Sequence, residues 1–216
     1  MEKFKEQIKE DIKLIQENWT RVDKNYEKPE YAFNHWILEN IYNVDDELIP
    51  CYITEYKDKG IDCFVHYEHD KELYIIQNKY YDNETSLDRK EISDFLNTPI
   101  SILKSNKYKR SKELQTIFNE AIEDSKYKIF FHFYITNEKT NSDAETLFKN
   151  FNTNHQTKKK AQIIGEIFNL QKISEKYYGK NYKENVTFKY TINTKNSSTR
   201  LQILPKEYKL SGMSEA

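Results

Sequence analysis

Apolar positions along the chain alternate between two periods. Residues 3–20 place Phe4, Ile8, Ile12, Ile15 and Trp19 three to four apart, one stripe of a helix. Residues 29–43, PEYAFNHWILENIYN, repeat that spacing. Pro29 suits a first helical turn, and Phe33, Trp36, Ile37, Asn40 and Ile41 share a face. The acidic VDDE ends this helix, and a short strand is expected over residues 51–56. Two strand-like runs, IDCFVHYE and ELYIIQNKYY, then flank the polar HDK. So short a linker predicts an antiparallel hairpin.

Residues 86–105 are helical at first, with Pro99 expected to kink or break the helix. Residues 111–124 form an amphipathic helix capped by Ser111. YKIFFHFYIT, residues 127–136, is the most strand-like run, and its continuous apolarity predicts a central strand buried on both faces. Residues 142–155 read as a helix. AQIIGEIFNL fits either period and is favoured as a strand, with a short helix in QKISEKYYG after it. Two further strands are expected over 185–193 and 200–210. This order predicts an α/β fold, a mixed sheet flanked by helices. The division expected is a core with N-terminal helices over 1–140 and an additional α/β segment over 141–216. The ending soon after a strand-like run makes the chain read as a segment of a longer protein.

The 216 residues suffice for one good-sized domain. A formal net charge of -1 excludes a strongly basic whole surface, so any nucleic-acid contact must come from a local patch. Seventeen tyrosines help to build a core despite the 32% of charged residues, and four Gly with four Pro argue against a loop-rich chain. Cys51 and Cys63 make neither a disulfide framework nor a four-cysteine zinc site. There is no signal-peptide pattern, and no apolar run approaches the roughly 20 residues of a membrane span. A cytoplasmic protein is the expectation.

The chemistry concentrates in GIDCFVHYEHDKELYIIQNKYY, residues 60–81. Alternation along a strand puts Gln77 and Lys79 on one face and Asn78 on the other. With the turn near 69–71, residues whose numbers sum to about 139–141 lie opposite, so Asp62 faces the 77–79 segment. A carboxylate, an amide oxygen and an ammonium then meet at one end of the sheet. Taken alone, Gln-x-Lys also fits a solvated strand end, and Asp after Gly fits a turn. Together they suit metal-assisted phosphodiester hydrolysis. Asp62, the Gln77 amide oxygen and the Asn78 main-chain carbonyl are oxygen ligands for Mg²⁺ or Mn²⁺, and Lys79 handles water and developing charge.

This stretch resembles the core of the PD-(D/E)xK nuclease superfamily, in the Gln-x-Lys branch seen in Mrr-like restriction endonucleases. With the upstream YAFNHWILENIYN it is most similar to the N-terminal domain of AIPR-type (abortive infection phage resistance) proteins, over roughly residues 30–136. The resemblance implies a restriction-endonuclease-like core behind an N-terminal helical segment, and metal-dependent cleavage of nucleic acid, DNA favoured over RNA, in bacterial phage defence. It implies Asp62 and Gln77 as metal ligands and Lys79 as the catalytic lysine. The family commonly adds an acidic residue from the preceding helix. Here Asn34 follows Phe33 where related sequences often carry Glu, which leaves Glu39, or Glu55, as the second carboxylate. Gln in place of Glu weakens the site's negative charge, so the alternative is an inactive nuclease-like domain that binds nucleic acid or a protein. Two-strand cleavage often uses two sites, which suggests a homodimer.

Two basic stretches are candidate phosphate contacts, one with Lys107, Lys109 and Arg110 and one with Lys158, Lys159 and Lys160. Both also fit solvated loops. His66 and His69 read as solvated turn residues, and His35 and His132 as structural.

Overall fold

The computed structural model describes residues 1–54, 60–105, 111–155 and 160–184. The expected strands over 185–193 and 200–210 lie outside these residues.

Among the described residues, four strands form one mixed sheet: β1 (Cys63–Tyr67), β2 (Glu72–Lys79), β3 (Lys128–Ile135) and β4 (Gln162–Phe168), in that order. β1 and β2 are the predicted antiparallel hairpin, while β2–β3 and β3–β4 are parallel. The parallel pairs need crossovers. Helices α4 (Arg89–Lys104) and α5 (Lys112–Glu123) make the first, and α6 (Ser142–Asn154) the second. On the other face lie α1 (Glu2–Trp19), α2 (Pro29–Tyr42) and α7 (Leu170–Glu184).

Each sheet face thus has its own core. Leu73, Ile75, Ile129, Phe131 and Phe133 pack under α4, α5 and α6. Cys63, Val65, Ile76, Tyr134 and Phe168 pack under α1 and α2. Both faces of β3 are covered, which is why its sequence shows no polar alternation. α2 is buried from Ala32 through Leu38, more than one stripe requires, because α1 covers one side and the sheet another.

Three expectations change. Residues 51–56 do not open with a strand. Pro50 sits in the first turn of a short helix, α3 (Ile49–Tyr52), and a single bridge joins Ile53 to Cys63. Pro99 does not break α4. It removes one donor to the carbonyl four residues back, yet the helix continues to Lys104 with Pro99 buried against the sheet-facing core. The boundary expected at 140 falls inside one compact unit, Met1–Glu184. β4 pairs with β3 along its length, and Ala144, Phe148 and Phe151 of α6 complete the same core as Phe131. Gly165 permits that closeness, since a Cβ there would meet Phe151 at 2.9 Å.

Among the described residues no helix is long and apolar enough to cross a membrane.

Candidate active site at the carboxyl end of β2

The hairpin register pairs Cys63 with Ile76, which places Asp62 across from Gln77. The parallel register carries Gln77 beside Phe133 and Lys79 beside Ile135. All of this lies at the carboxyl end of β2 and β3, where open α/β sheets bind ligands because loops and helix starts converge there.

Asp62 is half-buried. Its N–H donates to the Ile76 carbonyl at 2.9 Å, and its Oδ2 accepts the N–H of Asn78 at 2.7 Å. The carboxylate therefore occupies the position of a ladder acceptor and is held against β2. Gln77 is only 8% exposed, and its Oε1 is buried with no hydrogen-bond partner among the described residues. Its amide lies against Gly60, whose φ is +92° and whose missing Cβ would sit 3.6 Å from Oε1 and 3.8 Å from the Phe95 Cα of α4. A buried amide oxygen with no donor costs on the order of 1–3 kcal/mol, and the Asn78 Oδ1 on the opposite face is left in the same state. Lys79 is 26% exposed, and its Nζ pairs with Glu91 Oε1 at 3.2 Å.

Glu91 had no part in the sequence-derived site. It lies in the first turn of α4, whose start is fixed by Asp88 accepting the N–H of Lys90 at 2.8 Å. α4 runs back along β2, so Glu91 stands at Lys79 while Phe95, one turn on, stands at Gly60 and Gln77. Burial, with a smaller contribution from the Glu91 carboxylate, raises the Tyr81 phenol above its usual pKa. The DRKE run carries a helix-start signal, but the path of 80–88 that delivers it to Lys79 has no sequence signature.

The other proposed carboxylates fare differently. Glu39 is exposed on α2, where its Oε2 accepts Asn40 Nδ2 at 3.4 Å. Asn34 of α2 reaches β2: its Oδ1 accepts Asn78 Nδ2 at 2.8 Å, both side chains buried. That contact lies on the α2 face, away from Gln77 and Lys79. Glu55 lies outside the described residues, as do Lys107, Lys109, Arg110, Lys158 and Lys159. Lys160 pairs with Glu123 at 2.6 Å on the surface. His66 is half-buried rather than a free turn residue, with Nε2 3.0 Å from the Tyr127 hydroxyl. His132 is a buried core histidine, Nδ1 2.6 Å from the Tyr42 hydroxyl, and His35 bridges Tyr26 and Asp46.

Among the described residues, no three His, Cys, Asp or Glu side chains gather as a metal-binding group. The donors here are of another kind. One carboxylate, one orphaned amide oxygen and a nearby second carboxylate are all hard oxygens, which fit a cation that keeps several waters. Comparison of the chain with protein-family models, with curated proteins and with solved structures finds no match.

Proposed function

We propose that this domain is a nuclease that hydrolyses nucleic-acid phosphodiester bonds with Mg²⁺ or Mn²⁺, DNA favoured over RNA. The observation that carries the reading is the Gln77 amide oxygen, buried beside Gly60 without a hydrogen-bond partner among the described residues, on the strand that also delivers Lys79. Asp62 and Gln77 would contribute the oxygens that hold a cation, which would supply an acidified water and offset charge on the phosphate. Lys79 is exposed enough to meet a phosphate, and its ammonium orients the attacking water and stabilises negative charge developing on the phosphoryl oxygens. The backbone clip from Asn78 to Asp62 keeps the carboxylate oriented with no substrate bound, which lowers the cost of assembling the site. The resemblance to AIPR-type and Mrr-like proteins supports a role in bacterial phage defence, and cleavage of both strands suggests a homodimer.

One observation favours a second reading. Gln77 brings no charge, and the described residues hold no three-residue acidic or histidine cluster. A catalytically silent domain that binds nucleic acid or a protein is the alternative. Incubation with duplex DNA, single-stranded DNA and RNA in Mg²⁺ or Mn²⁺ separates the two. The nuclease reading expects products that vanish with EDTA. Salt-dependent binding without cleavage in either metal points to the silent domain.

A further inference from the structure

We infer that Glu91 is the second carboxylate of the cation site, supplying from the helix after β2 the negative charge that Gln77 lacks. The inference rests on the metal-dependent reading above and names a ligand that reading leaves open.

Glu91 and Phe95 are one helical turn apart and face β2 together, the first at Lys79 and the second at Gly60 and Gln77. Gln77 and Lys79 are two residues apart on the same face of β2. The Glu91 carboxylate therefore stands one helical turn from the Phe95 backbone that flanks Gly60 and the Gln77 amide, whose Oε1 has no hydrogen-bond partner among the described residues. Asp62 and Lys79 alone sum to zero charge. Among the described residues Glu91 brings the cluster to one net negative charge, which favours a divalent cation. Glu91 is 40% exposed and its pair with Lys79 is worth less than about 1 kcal/mol, so the carboxylate can turn to a cation at little cost.

Isothermal titration of the full chain with Mn²⁺ tests this without reference to activity. The variants are Glu91→Gln, Asp62→Asn as a second ligand change, and Asp94→Asn, an exposed carboxylate on the same helix that matches the charge change. Circular dichroism confirms folding, which an exposed isosteric change should preserve. The expected result is a loss of Mn²⁺ affinity of at least about tenfold in Glu91→Gln and none in Asp94→Asn. Equal affinities in Glu91→Gln and Asp94→Asn, with binding by the wild type intact and lost in Asp62→Asn, would overturn the Glu91 assignment and leave the nuclease reading standing. No Mn²⁺ binding by the wild type would overturn both.

Discussion

The Asp62 carboxylate accepts the backbone N–H of Asn78 at 2.7 Å, so the group assigned to the cation also ties the start of β1 to the end of β2. Its two roles separate by substitution. Asp62→Ala leaves a β2 N–H without its acceptor and is expected to cost about 1.5–3 kcal/mol, the range for a hydrogen bond to a charged group. Asp62→Asn keeps an acceptor oxygen and should cost less than half as much. Urea denaturation midpoints measure the difference. Both variants are expected to lose cleavage.

Gln77→Glu should behave oppositely with and without a divalent cation. The side chain is 8% exposed, so an added charge is costly in the free protein and lowers the melting temperature. A bound cation repays that cost, since a ligand at 100 times its Kd adds about 2.7 kcal/mol to the folded state. Thermal scans with and without Mg²⁺ should show a larger stabilisation by the cation in Gln77→Glu than in the wild type. An equal response in the two proteins would place the cation elsewhere.

Gly60 holds a backbone conformation with φ +92° beside the Gln77 amide. Gly60→Ala is expected to lose about 1–2 kcal/mol from the conformation alone. The new Cβ makes ordinary contacts, 3.6 Å from Gln77 Oε1 and 3.8 Å from the Phe95 Cα, so the loss arises from backbone strain rather than collision. Chemical denaturation checks the magnitude. Wild-type stability at this position would show that the turn relaxes into another conformation.

Stability should fall on mild acidification. Burial, with a smaller contribution from the Lys176 charge, holds His132 well below its ordinary pKa of 6.5. Burial also lowers His35, although Asp46 opposes it, and lowers His66. These folded-state values lie below the unfolded ones, so the unfolded chain takes up protons first. The contribution is fully present above about pH 6.5 and is lost as pH falls towards the folded values, at about 1.4 kcal/mol per pH unit for each histidine charged only when unfolded. Denaturation at pH 7 and pH 5 should show the fall. His132→Gln, which retains an acceptor for Tyr42, should make it shallower.

The hairpin was legible because a turn of few residues fixes the register. The expected pairing sum of about 139–141 meets an observed 139 at Cys63 and Ile76, and with it the approach of Asp62 to the 77–79 segment. β3 was legible because burial on both faces leaves an apolar run that only His132 interrupts after the exposed Lys128. Residues 51–56 misled because Cys51, Tyr52 and Ile53 carry strand-favouring side chains, while Pro50 opens a helical turn. The boundary at 140 misled because helix–strand alternation looks the same whether a strand extends a sheet or begins another; only the β3–β4 pairing decides. Glu91 was hidden for a related reason. Its meeting with Lys79 depends on the route of the 80–88 loop and on the rotation of α4 about its axis, neither of which a local pattern encodes.

The central claim is that Asp62, Gln77 and Lys79 form a hydrolytic site, and single-turnover cleavage of a labelled DNA duplex in Mg²⁺ tests it most directly. Wild type, Asp62→Ala and Lys79→Ala are compared at matched protein concentration. The account predicts cleavage by the wild type and a loss of about 100-fold or more in each variant, the scale for removing one group that stabilises charge in a transition state. Cleavage that survives both substitutions at the wild-type rate would contradict it.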